Sequence, residues 1–176
     1  MLLSWGLGVG AVVAAADQLS KAWVLRFFAE QQPEAQVVPV TSFFNLVLTG
    51  NRGMSFGLFN SGNSSAALNA LVFTVIAAII VCGLVVWLYR AREPLIGIAI
   101  GLVIGGAIGN VADRLWRGAV VDFLDFHWSG TSACRWPILS WNSCHWYAFN
   151  LADAAICIGV GLMVIDSLLG RREAPN

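Results

Sequence analysis

Four long apolar runs mark out the chain, at about Leu2 to Leu25, Ala67 to Tyr89, Leu95 to Ala112 and Ala148 to Leu169. Each approaches the ~20 residues that a helix needs to cross the hydrocarbon core of a bilayer. The second and third carry no charge at all, whereas the first is interrupted by Asp17 and Lys21 and the fourth by Asp153 and Asp166. The first run also contains "VVAAAD", which mimics the small-residue cleavage site of a secretory signal peptide. No basic segment precedes it and apolar residues resume in "AWVLRFF", so it reads as a span.

The segments between the runs have a different rhythm. Residues 29–66 open polar in "EQQPEAQ" and then turn β-like in "VVPV" and "SFFNLVL" before a glycine turn in "TGNRGMSFG". Residues 113–147 hold Trp128, Trp136, Trp141 and Trp146, which suit a membrane interface, with Trp5 and Trp87 marking the opposite one. The expected fold class is an all-α polytopic membrane protein. Four transmembrane helices would carry a small β-containing subdomain at the membrane surface, all in one domain spanning 1–176.

Composition strengthens this reading. Hydrophobic residues make up 58% of the 176 positions, above the roughly 45–50% usual for soluble domains. Ten basic and ten acidic residues balance, so no nucleic-acid footprint is present. Arg90 and Arg92 in the tight "RAREP" loop and Arg171 and Arg172 in the tail are dense enough to set those short segments on the cytoplasmic side. The other six basic residues are more numerous but are spread over two long segments. Gly101, Gly105 and Gly109 form a smooth stripe suited to close helix packing. A dinucleotide fingerprint would need a strand and a βαβ unit around it.

The six aspartates sort by local counter-charge. Asp17 has Lys21 one turn on, Asp113 has Arg114 and Arg117 nearby, and Asp166 lies near Arg171, so these three read as structural ion pairs or anchors. Asp122, Asp125 and Asp153 sit in "GAVVDFLDFHW" and "FNLADAAI" with no basic residue within four positions. A carboxylate placed at membrane depth is a candidate functional group. Two brought together can share a proton, one serving as base toward water and the other as acid toward a carbonyl. The competing reading, that each caps a helix or bonds a backbone amide, stands beside it. His127, His145, Cys134 and Cys144 lack the C-x-x-C spacing of a zinc site, so no metal or other cofactor is expected. A small proton-coupled transporter or channel would also use intramembrane Asp and Lys, but no inverted repeat is visible.

The ordered blocks "DQLSK" (17–21), "NRGMSFG" (51–57), "GGAIGNVADRLWRGAVVDF" (105–123) and "FNLADAAI" (149–156) resemble the lipoprotein signal peptidases, or type II signal peptidases, of bacterial inner membranes. The resemblance implies an aspartic endopeptidase, likewise multi-pass in the inner membrane, that removes signal peptides from diacylglyceryl-modified prolipoproteins by cutting just before the lipid-modified cysteine. It implies catalytic roles for Asp122 and Asp153 and none for Asp125. Asp17, Lys21, Asn51, Gly53, Asn110, Asp113, Arg114, Asn150 and Ala152 match motif positions that shape or support the site. Expected partners are the prolipoprotein substrate and membrane lipid, with the chain a monomer, both termini cytoplasmic and the site toward the periplasm. Which aspartate is acid and which is base stays open. Between "VVDF" and "FNLAD" the segment is longer than in many family members. Cys134 and Cys144, ten apart on the oxidising side, are expected to close it with a disulfide.

Overall fold

The computed structural model describes residues 2–30, 36–52, 66–127 and 146–170. Its elements in chain order are α1 (Leu2–Glu30), β1 (Val37–Pro39), β2 (Phe44–Asn51), α2 (Ala66–Arg90), α3 (Pro94–Arg117), β3 (Val120–Phe126) and α4 (Leu151–Gly170). All four helices are long and apolar enough to cross a membrane. Half of the most apolar stretch of α3 is buried, against at most 17% in the others, so α3 is the central post around which the bundle forms. It packs against α1, α2 and α4.

Close approach to α3 depends on missing side chains. A Cβ on Gly105 would lie 2.5 Å from the carbonyl oxygen of Gly10, and one on Gly106 would collide with the carbonyl of Ala152. The stripe of Gly101, Gly105 and Gly109 thus lets α1 reach α3 closely, as the sequence pattern predicts, while Gly106, outside that stripe, does the same for α4. Lower in the bundle Leu88, Ile96, Ile100 and Ile104 form an apolar cluster between α2 and α3. Trp5 and Trp87 are exposed at that end, while Trp23, Trp116 and Trp146 are exposed toward the other.

The helix α3 runs through Arg117, past the apolar run that ends at Ala112, because "DRLWR" continues helical and finds charge partners. Gly118, at φ 75°, supplies the left-handed residue that ends it and turns the chain into β3. The three strands form an antiparallel sheet in the order β1-β2-β3. β1 and β2 fall where alternation and β-branched residues place them. β2 continues through Thr49, Gly50 and Asn51, where a turn is expected from the sequence, because these residues pair with Asp122, Val121 and Val120. An extra residue between Leu46 and Thr49 bulges β2 at this point.

β3 itself has no alternating signature. Val120, Val121, Asp122 and Phe123 are all buried, so both faces of the strand are covered. One face meets α1 through a cluster of Val24, Phe28, Leu46 and Phe123. The outer edge takes Phe149, whose N–H and carbonyl both bond Leu124, at 3.0 and 2.9 Å. That single bridge fixes the residues that open α4.

A Gly106→Val variant is expected to lose ~1–3 kcal/mol of stability, read as a lower melting temperature in detergent, because the new side chain separates α3 from α4. Gly161→Ala, where an added Cβ meets no atom within 4 Å, is expected to melt no lower than the parent.

Candidate active site

At the end of the bundle nearest the sheet, a charged cluster is buried between α1 and α3. Lys21 Nζ lies 2.8 Å from Asp17 Oδ2 and 2.8 Å from Asp113 Oδ2, and all three side chains are fully buried. Arg117 supplies the second positive charge through Asp113 Oδ1, so two cations face two carboxylates. Gln18 ties the group together, donating to Asp17, to Asp113 and to the carbonyl of Gly109. A Cβ on Gly109 would stand 2.5 Å from Asp17 Oδ2, so the glycine stripe here makes room for a carboxylate as well as for a helix.

Each of these carboxylates also reaches outward. Asp113 Oδ2 accepts the N–H of Val121 at 3.0 Å, and Asp17 Oδ1 accepts the N–H of Ala152 at 3.0 Å. Val121 immediately precedes Asp122, and Ala152 immediately precedes Asp153. The paired aspartates therefore hold the backbone on which the unpaired ones are carried.

Asn150 caps α4. Its Oδ1 accepts the N–H of Asp153 at 2.9 Å, while Asp153 Oδ2 accepts the N–H of Asn150 at 3.2 Å, the reciprocal pattern of a capping box. The same Asn150 donates Nδ2 to Asp122 Oδ1 at 2.7 Å and to Asn110 Oδ1 at 3.1 Å. Asn110 in turn donates Nδ2 to Asp153 Oδ1 at 2.8 Å and accepts from Lys21 Nζ at 3.2 Å. Two asparagine amides thus join Asp122, Asp153 and the buried lysine in one hydrogen-bonded chain.

Asp122 is 2% exposed. Burial pushes its carboxyl up to about 6, and the nearby charge of Asp153 pushes the same way, against hydrogen bonds from Asn51 and Asn150 and the charge of Lys21. The Arg114 guanidinium feels Asp153, Asp122 and Asp113, donates to the carbonyl of Asn110 at 3.3 Å and lies over the Phe73 ring of α2 at 5.3 Å. The site pairs two acids, one of them protonated more readily than usual, beside one cation. Such a set can take a proton from water and give one to a carbonyl.

Alternation along β3 puts Asp125 on the opposite face from Asp122. There it accepts Asn45 Nδ2 at 2.9 Å, 80 residues away in the chain. The structure therefore brings Asp17, Lys21, Asn51, Asn110, Asp113, Arg114, Asn150 and Ala152 together around Asp122 and Asp153, and sets Asp125 apart. Asp113 pairs with Lys21 and Arg117. Gly53, Cys134, Cys144 and Arg171 lie outside the described residues, and with them the expected disulfide. Sequence reading missed Gln18, Asn45 and the bridge made by Phe149. The capping box was visible in "FNLAD", and Asn45 opposite Asp125 left no local signal.

Comparison with known proteins gives the family. The family model described as Signal peptidase (SPase) II matches residues 9–169. The chain belongs to the signal peptidase II family. Membership makes it a protease, and its four spans make it a multi-pass membrane protein. A lipoprotein signal peptidase of Rhodopseudomonas palustris (strain TIE-1) is 40% identical over 165 residues, 94% of this chain and 92% of its own length. One from Nitrobacter hamburgensis is 43% identical over 164 residues, covering 92% of each chain. A solved structure of a bacterial membrane enzyme matches with a TM-score of 0.72 at 25% identity, covering 98% of this chain and 93% of that one.

Two outcomes follow for this chain. Lys21→Met leaves Asp17 and Asp113 buried with one cation fewer, and is expected to cost about 3–5 kcal/mol, measured by thermal or denaturant unfolding in micelles. Asp122→Asn acts in the other sense. Because the folded-state carboxyl is held above its ordinary 3.8, the stability linked to its proton is complete below that value and is lost as pH rises through about 6. The Asn variant escapes this loss, so it is expected to melt at or above the parent at about pH 8, with the difference closing below about pH 4.

Proposed function

We propose that this chain is an aspartic endopeptidase that removes signal peptides from diacylglyceryl-modified prolipoproteins, cutting just before the lipid-modified cysteine. The observation that carries the reading is the amide chain linking Asp122 to Asp153 through Asn150 and Asn110 at the sheet end of the bundle. The relatives' name, lipoprotein signal peptidase, supports the substrate class. The substrate's apolar signal helix stays in the bilayer beside the bundle while its scissile bond meets the carboxylates. Together the two acids hold one proton: the charged carboxylate draws a proton from water as it attacks, and the other carboxyl hydrogen-bonds the carbonyl oxygen.

In this proposal the protein is a monomer in a bacterial inner membrane, as one domain over 1–176. Both termini and the "RAREP" loop face the cytoplasm, and the site faces the periplasm, on the density of Arg90, Arg92, Arg171 and Arg172. Single cysteines at positions 63 and 129 are expected to react with an impermeant reagent on intact cells while one in the tail is protected. Protection of both, with labelling of the tail, would invert the orientation.

Purified protein given a diacylglyceryl-modified precursor is the direct test, with release of the signal peptide as the readout. Asp122→Asn and Asp153→Asn are each expected to insert, fold and lose cleavage by several orders of magnitude, whereas Asp125→Asn keeps most of it. A well-folded Asp153→Asn protein cleaving near the parental rate would end the proposal. The pair must keep one proton, so cleavage is expected to fall on the alkaline side with an apparent pKa at or above about 6, since a lipid-bearing substrate dries the site further.

A further inference from the structure

We infer that the far end of the sheet is a lipid-contacting ledge. Phe43, Phe126, Trp146 and Tyr147 seat in the boundary between phospholipid headgroups and acyl chains and fix the depth of the carboxylate pair, the latter role resting on the aspartic reading above. All four side chains are exposed, Trp146 at 64% and Phe43 at 56%. They come from three separate parts of the chain. The N–H groups of Val40 and Thr41 both bond the carbonyl of Phe44, at 3.1 and 3.0 Å, which closes the hairpin of β1 and β2 and places Phe43 in its tip. The carbonyl of Phe43 accepts the N–H of His127 at 2.9 Å, and the N–H of Trp146 bonds the carbonyl of Phe126 at 2.7 Å. Hairpin tip, strand end and the lead-in to α4 are thus one surface.

Position along the bundle says what covers it. The span of α4 from Leu151 to Leu169 has 19 residues, which at 1.5 Å each is about 28 Å, close to the ~30 Å of a hydrocarbon core. Leu151, itself exposed, therefore marks the edge of the hydrocarbon, and Trp146 and Tyr147 lie just outside it in the chain. Asp17 bonds the N–H of Ala152, so α1 passes the same level. Neither residues 40–43 nor residues 146–147 include a charge that would resist the boundary. Tryptophan and tyrosine belong there, with the ring among acyl chains and the polar tip among headgroups. The ledge also continues into the outward face of α4, where Leu151, Ile158 and Ile165 are exposed and the bilayer is the cover.

The ledge is tied to the site through its rings. Phe126 lies between Phe44 and Phe149, with centroids 5.0 and 5.9 Å away. Phe149 is followed by Asn150, whose side chain donates to Asp122 and caps the helix that carries Asp153. A row of rings thus runs from the lipid edge to the residue between the two carboxylates. The substrate's lipid chains and apolar helix take their height from the same bilayer, so a ledge seated in it brings carboxylates and scissile bond to one level.

Photoactivatable phosphatidylcholines test the contact on the unaltered full-length protein in vesicles. One probe carries its diazirine near the glycerol end of an acyl chain and the other at the chain terminus, with adducts mapped by peptide mass spectrometry. Adducts at residues 40–43 and 146–147 are expected from the shallow probe at several times the yield of the deep one. No adducts there while the spans are labelled, or equal yields from the two probes, overturns the ledge. Its effect on depth is read with a Phe43→Gln, Trp146→Gln double variant given a diacylglyceryl-modified precursor. Cleavage is expected to fall several-fold in vesicles and to match the parent in micelles, which impose no fixed height. An equal loss in both media overturns the depth role. A parent protein that takes the adducts but cleaves in neither medium would instead sink the aspartic reading.

Discussion

A lysine with no solvent contact is the constraint on which this structure turns. Lys21 is buried at the junction of α1 and α3, and a lone ammonium there would be prohibitive, so two carboxylates must accompany it. Those carboxylates have oxygens to spare. Asp17 spends one on the N–H of Ala152 at the start of α4, and Asp113 bonds the N–H of Val121 at the start of β3. One buried cation thus sets the positions of two elements distant in sequence, and each places its own aspartate on the next residue. Lys21 contacts neither Asp122 nor Asp153 directly, yet it fixes the backbone of both.

The second layer of control is made of neutral amides. Asn150 is fully buried, and an asparagine there must satisfy a carbonyl oxygen and an NH₂ group. It does so with Asp153 N–H on one side and with Asp122 and Asn110 on the other. Amides suit this place because they bond carboxylates without neutralising them. A lysine or arginine in the same position would favour the charged form of both acids. The fold therefore puts cations under the aspartates that brace the structure and amides under those that face each other, with Arg114 and Lys21 each reaching both groups electrostatically.

Much of this was legible in the sequence, for reasons that can be named. Spans declare themselves because hydrocarbon tolerates only long apolar helices, and the sorting of aspartates by local counter-charge isolates Asp122, Asp125 and Asp153 because Asp17 and Asp113 have basic partners one turn away. The same rule cannot separate Asp125 from the other two, since its partner Asn45 is neutral and lies across the sheet. β3 escapes notice because a strand buried on both faces has no alternation, and nothing in "GAVVDFLDF" separates it from a buried helical run. Gly109 was visible as part of a packing stripe, but the carboxylate of Asp17 against it was not.

The two readings offered for the unpaired aspartates, helix cap and chemical group, turn out not to exclude each other. Asp153 completes a capping box with Asn150, and that bond holds one of its oxygens while Asn110 holds the other. Capping restrains the side chain in the first turn of α4, close to Asp122, at little entropic cost beyond that of starting the helix. The Phe149 bridge to Leu124 carries the cap to the sheet, two residues along β3 from Asp122. Local helix chemistry and one backbone bridge do the positioning, and the burial that raises Asp122 is the cost of making them meet inside a packed site. A sequence that reads as an uncompensated charge at a helix start is, in three dimensions, a carboxylate with its donors chosen so that a second carboxylate remains beside it.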